Sequence, residues 1–203
     1  MKNLHQLSTL ILADFGLDIG VKFTHGTDSV EQSAEGRREA LRELQKAVRL
    51  DPNAAESHLY LGRLFRCMAS DYGPSADATA SAIEHLHLAA QLAPSDPVRH
   101  YELAASLNPE TDKPEMISEL RTCLQLFEER LNPIGRATPS YPDNRAEAMW
   151  LLGIILAEKD PTLAEGAELM KRAITRIDNP DLTTGKRGRL ADLLREKGHY
   201  REP

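Results

Sequence analysis

Apolar residues along this chain recur at three- and four-residue intervals, the spacing of one helix face. Ala40, Leu44 and Ala47 form one such series, and Pro52 closes it. Ala82, Leu86 and Ala89 form a second with the same internal spacing, closed by Pro94. A proline pushes the residue before it out of the α region, so each series predicts a helix that stops at a fixed point. A different phrase follows each proline: His58-x-x-Leu61-Gly62-x-x-Phe65, then His100-x-x-Leu103-Ala104-x-x-Leu107. A third copy reads Met149-x-x-Leu152-Gly153-x-x-Leu156. A small residue follows a leucine each time, which lets a neighbouring helix approach closely. Glycine inside a helix costs roughly 1 kcal/mol against alanine, so Gly62 and Gly153 imply a packing reason.

The two phrases alternate, and together they resemble the tetratricopeptide repeat over residues 37–178. That family carries a large residue, Leu-Gly and an aromatic on its first helix. Its second helix carries Ala, a large apolar residue and Ala, then a closing Pro. The resemblance implies an all-α, right-handed solenoid of antiparallel helix pairs. The expected pieces are a second-type helix at 37–50 and pairs at 54–92 (54–69 and 77–92), 97–131 (97–107 and 113–130) and 144–177 (144–158 and 163–177). In the middle pair Met116 and Cys123 replace the small alanines, and no proline closes the second helix on schedule, so it runs on to Leu131. Gly73-Pro74 marks a loop at 69–76, and Pro133, Gly135, Pro139 and Pro142 mark another at 132–143.

The ends read differently. Residues 1–36 hold an expected helix at 3–15, with Leu4, Leu7, Leu10, Ile11 and Phe15 at workable spacing, either completing the opening repeat or capping it. Residues 179–203 hold a final capping helix at 183–198. Leu190, Leu193 and Leu194 are expected inward and Lys186, Arg187, Arg189, Arg195 and Lys197 toward water. A solenoid needs a polar terminal cap, because its last unit lacks a neighbour on one side.

Composition narrows the function classes. A net charge of −6 disfavours a phosphate backbone as partner, which leaves only the basic C-terminal helix as a candidate RNA contact. No stretch reaches the ~20 apolar residues a membrane span needs, and Asp14 interrupts the apolar run after Lys2 before any signal cleavage site. Cys67 and Cys123 lie apart with no CxxC around them. They read as structural thiols in a reducing compartment, and the expected location is cytoplasmic.

The family resemblance also implies a ligand surface. In tetratricopeptide proteins the first helices line a concave groove that takes a segment of another protein. Mapped onto this chain, the groove positions are Glu56, Leu59, Arg63, Arg66 and Cys67, then Val98, Tyr101, Ala105 and Asn108, then Glu147, Trp150, Ile154 and Glu158. Tyr101 and Trp150 suit the role of large anchors, and Arg63 and Arg66 suit a carboxylate. The blander alternatives are that Trp150 fills the core and that the arginines are solvated surface charge. The lysine and asparagine with which one subclass clamps chaperone C-termini are absent from these positions.

No phosphate loop, GxSxG or HExxH occurs, and no cofactor or metal is expected. His85 and His87 point to different faces of one helix, and His58 and His100 occupy packing positions. The expected function is therefore a non-enzymatic protein- or peptide-binding scaffold or adaptor, such as a cochaperone or assembly factor. The alternatives are self-association through the N-terminal apolar segment and, third, RNA binding through the C-terminal helix.

Overall fold

The computed structural model describes residues 30–71, 76–131, 144–158, 162–177 and 180–197. All regular structure among these residues is helical: α1 (Val30–Leu50), α2 (Ala55–Asp71), α3 (Ala76–Leu92), α4 (Pro97–Ala104), α5 (Lys113–Leu131), α6 (Arg145–Ala157), α7 (Leu163–Arg176) and α8 (Pro180–Glu196). The N-terminal helix expected at 3–15 and the loop expected at 132–143 lie outside the described residues. The chain divides into two compact units, Met1–Pro94 and Ser95–Pro203.

Several helix boundaries depart from the expected ones. α1 begins at Val30 and not at residue 37. The helix runs back through Gly36 at the usual glycine cost, and residues 31–35, Glu-Gln-Ser-Ala-Glu, hold no proline to stop it. α2 continues to Asp71 and α3 opens at Ala76, so the break expected at 69–76 is shorter. α8 starts at Pro180, where a proline in the first turn sacrifices no hydrogen bond.

In the first unit, α1 lays Ala40 and Leu44 against Leu61 and Leu64 of α2. Leu41, Val48, Tyr60, Phe65 and Met68 pack around that core. α2 then crosses α3 at Gly62. A Cβ built there would lie 2.5 Å from Leu86 Cγ and 3.1 Å from the Ala82 carbonyl oxygen. The glycine is thus the point of closest approach, which is the packing reason its cost implied.

A polar link spans the same pair. His58 is buried, its Nδ1 lies 3.0 Å from His85 Nδ1 and its Nε2 3.1 Å from the Pro52 carbonyl oxygen. With both rings neutral, His58 donates from Nε2 and accepts at Nδ1 from His85. Phe65 stacks on His85 at 5.8 Å and 5° between planes. Burial and His58 hold the His85 pKa below its ordinary value, and Glu84 partly opposes them.

The second unit begins with a firmly capped helix. Asp96 Oδ1 accepts from Val98 N–H at 3.1 Å, and its other oxygen pairs with Arg99. Pro97 occupies the first turn. α4 pairs with α5, where His100 Nδ1 lies 2.6 Å from Glu119 Oε2. α6 pairs with α7 through a crossing of two glycines. A Cβ on Gly153 would lie 2.8 Å from the Gly166 carbonyl oxygen, and one on Gly166 would lie 2.5 Å from that of Gly153. Ion pairs tie α5 to α7, Arg121–Glu165 at 3.1 Å and Arg172–Glu128 at 3.8 Å. Lys113 pairs with Glu158 beyond the end of α6, which raises the lysine pKa, the hydrogen bond to Glu158 being the largest cause. α8 closes the unit, with Leu190 in a core of Ala167, Met170 and Ile174.

Candidate binding faces on the first helices

α2 carries the first set of predicted positions. Glu56, Leu59, Arg63 and Arg66 follow at intervals of three and four, which puts them on one side of the helix. Leu59 is only 1% exposed, so its side chain is core and offers nothing to a ligand. Glu56, Arg63, Arg66 and Cys67 are half-buried. Tyr60 organises part of this surface: its hydroxyl donates to Glu56 Oε1 at 3.3 Å, and the Arg63 guanidinium lies 5.9 Å from its ring centre. The sequence mapping missed Tyr60, because it counted groove positions and not their neighbours one turn away.

α4 carries the second set on a helix that is almost wholly buried. Val98 is 1% exposed and belongs to the core. Tyr101 is half-buried. Ala105 lies in the turn after α4, because the helix ends at Ala104 and not at residue 107. Asn108 is exposed but committed locally: its backbone N–H donates to Asp112 and its Oδ1 accepts from Glu110 N–H. The tight turn at 105–112 uses these groups to satisfy backbone donors, which explains the shorter helix.

α6 carries the third set, and here the structure adds a layer. Glu147 is exposed, while Trp150 and Ile154 are half-buried. Trp150 and Ile154 pack against the cluster of Ala167, Met170, Ile174 and Leu190, with Leu194 beside them. The Lys186 ammonium lies 4.4 Å from the centre of the Trp150 ring. Lys186 was expected to face water; it is half-buried because the indole face attracts its charge and Leu190 draws the helix down. Desolvation lowers the Lys186 pKa, and the charge of Glu147 works against that shift. Lys197 Nζ donates to the Glu158 carbonyl oxygen at 3.1 Å. Trp150 is thus neither simple core filler nor an open anchor: it is a groove-position residue roofed by α8.

Among the described residues, no three His, Cys, Asp or Glu side chains gather where they would hold a metal ion. No helix among them is long and apolar enough to cross a membrane. Cys67 and Cys123 form no disulfide, and the second is buried.

Paired helices crossing at small residues, with half-exposed first-helix faces, define a tetratricopeptide-like helical-repeat protein of the all-α solenoid class. Solved structures carry the same fold. A crystal structure of MamA matches with a TM-score of 0.58 at 18% identity, over 87% of this chain and 88% of that one. A second MamA structure matches at 0.52 and 16% identity, over 98% of both chains. A mutant O-GlcNAc transferase of Thermobaculum terrenum matches at 0.54 and 17% identity, over 87% of this chain but 27% of the transferase. Both MamA and the transferase contain tetratricopeptide repeats. No protein-family model matches the chain. No curated protein matches it either.

Proposed function

We propose that this protein is a non-enzymatic scaffold that binds segments of other proteins on the exposed sides of its first helices. The observation that carries the reading is the set of groove positions that keep accessible surface: Glu56, Arg63 and Arg66 on α2, Tyr101 on α4 and Glu147 on α6. Each stands on a helix whose opposite side is locked into the core, so the surface is presented rigidly. Rigid presentation lowers the ordering cost of binding. In the first unit the arginines of α2 suit a carboxylate-bearing segment, and in the second unit Tyr101 of α4 suits an apolar one.

Within this reading the protein acts as an adaptor, of the cochaperone or assembly-factor kind, in the cytoplasm. The test is affinity capture from the native source with the wild-type chain and with Arg63→Glu combined with Tyr101→Ala. Loss of specifically captured proteins by the double variant, with an unchanged far-UV dichroism spectrum, is the expected result. Retention of every captured protein would sink the reading. Trp150 is left out of this pair because its substitution would disturb the packing of α8.

A further inference from the structure

The three groove positions of α6, and Glu158 just after it, are met by α8 and by Lys197 just beyond its end. Lys186 stands over Trp150 and within electrostatic reach of Glu147. Leu190 and Leu194 share a cluster with Trp150 and Ile154. Lys197 reaches the Glu158 carbonyl. The two outer contacts, Lys186 on Trp150 and Lys197 on the Glu158 carbonyl, order α8 in the same direction as α6, while Leu190 seats α8 chiefly on Ala167, Met170 and Ile174 of α7. The contacting residues of α8, Lys186, Leu190 and Leu194, fall at four-residue intervals, one stripe of one helix face.

α8 is also built to be weak. Gly185 and Gly188 lie within it, and a Cβ on either would meet nothing within 4 Å. Neither needs a backbone conformation reserved for glycine. This separates them from Gly62, Gly153 and Gly166, where a Cβ would strike a partner helix at 2.5 to 2.6 Å. Two glycines with no steric duty lower the helix stability by about 1 kcal/mol each relative to alanine. They sit beside the very stripe that docks.

We propose that α8 is a displaceable, built-in occupant of the ligand face of α6, and that the external partner of this face is an amphipathic helix with the same stripe. That stripe is a basic residue followed by apolar residues four and eight positions later. The acidic Glu147 beside the Lys186 site favours the basic residue, and the Trp150–Ile154 surface takes the apolar ones. The inference rests on the scaffold reading and makes it specific: it names the chemistry of one ligand and the element that competes with it.

The test uses full-length chains and a fluorescein-labelled peptide of residues 183–197. Three chains are compared: wild type, a release variant (Leu190→Asp with Leu194→Asp) and a lock variant (Gly185→Ala with Gly188→Ala). A docked α8 lowers apparent affinity by the fraction of time the face is free. Fluorescence anisotropy is expected to show the peptide binding the release variant at least about tenfold more tightly than wild type, and the lock variant about tenfold more weakly. Trp150 is the single tryptophan of the chain and reports directly. Its emission is expected to move to the red in the release variant and to return when the peptide saturates it. Equal binding to all three chains overturns the proposal, and so does unmoved emission in the release variant. Equally tight binding of a peptide with both leucines changed to Asp overturns the assigned stripe. If the release variant loses helicity, Lys186→Glu replaces it and is read by the same criteria. None of these readings needs a cellular partner. A negative outcome here, with capture still lost on Arg63→Glu and Tyr101→Ala, overturns the role of α8 and leaves the scaffold standing.

Discussion

Gly153 and Gly166 meet where α6 crosses α7, each occupying the space the other's side chain would need. A Cβ on Gly166 would lie 2.5 Å from the Gly153 carbonyl oxygen and 2.7 Å from Ala157 N. Both are backbone atoms and cannot step aside without moving a helix. A graded series follows across the glycines. Gly166→Ala is expected to cost about 3 kcal/mol, the upper range for overpacking, even after the gain in helix propensity. Gly62→Ala meets the Leu86 side chain, which is fully buried and has little room to turn. It is expected to cost about 1–2 kcal/mol. Gly188→Ala meets nothing and is expected to stabilise α8 by up to about 1 kcal/mol. Urea unfolding of the three variants checks the order, and any reversal between Gly166 and Gly188 contradicts it.

The glycines show how much was legible in the sequence. Gly62 and Gly153 follow a leucine at a repeating place, and their helix cost pointed to a close crossing that the structure contains. The order of the helices was legible for the same reason, since apolar spacing and prolines act locally, but several of their ends were not. The candidate faces were less so. Leu59 and Val98 sit at groove positions by count, yet they are core. Counting along one helix cannot reveal what a second helix covers. Lys186 looked like solvated charge because nothing in its own helix names Trp150, which lies in a different part of the chain. His85 was read only against His87, its neighbour in sequence, and its actual partner His58 lies on another helix.

The His58–His85 pair predicts a pH dependence of stability. The His85 pKa is lowered in the fold, chiefly by burial and then by His58. A histidine so held binds protons more readily when unfolded, so its contribution is complete above the unfolded value of about 6.5. As the pH falls below that value and through the folded pKa, the contribution is lost. The groups facing His85 are His58, Phe65 and Glu84, and only Glu84 opposes the shift. Stability is expected to fall from pH 7 toward pH 5, and His85→Gln is expected to flatten that slope. Denaturant midpoints at half-unit pH steps measure it. An unchanged slope in the variant would rule out His85 as a source.

Asp96 has two tasks, and substitutions separate them. It caps α4 through Val98 N–H and pairs with Arg99, whose side chain is 7% exposed. Asp96→Ala removes both and leaves a buried guanidinium without its partner, an expected loss of about 3–5 kcal/mol. Asp96→Asn keeps a capping oxygen and is expected to cost less. The pair is not a net gain in itself, because Arg99 Nε is buried without a hydrogen bond. Combining Asp96→Asn with Arg99→Met is therefore expected to be milder than Asp96→Ala alone. Thermal unfolding of the three variants tests the order, and a loss in the combined variant as large as that of Asp96→Ala would count against it.

One position pair recurs in each repeat and takes three different fillings. His58 with His85, His100 with Glu119, and Met149 with Leu169 stand at equivalent places, set by Ala82, Met116 and Gly166 three residues before the second member. The first two pairs are hydrogen-bonded, and the last is apolar. By sequence count the repeat thus carries either a polar link or two hydrocarbon side chains at these places, and a mixture is what it should refuse. His100→Met leaves the Glu119 carboxylate, 21% exposed, without the ring nitrogen that holds it. A loss of about 1–3 kcal/mol is expected, the cost of stranding a partly buried acceptor. Adding Glu119→Leu restores a matched pair of the kind found in the third repeat, and most of the loss is expected to return. A double-mutant cycle by urea unfolding measures the coupling. If the double variant is as unstable as the sum of the two singles, the equivalence of the three pairs fails, and the His100–Glu119 contact is an isolated one and not a variant of a common link.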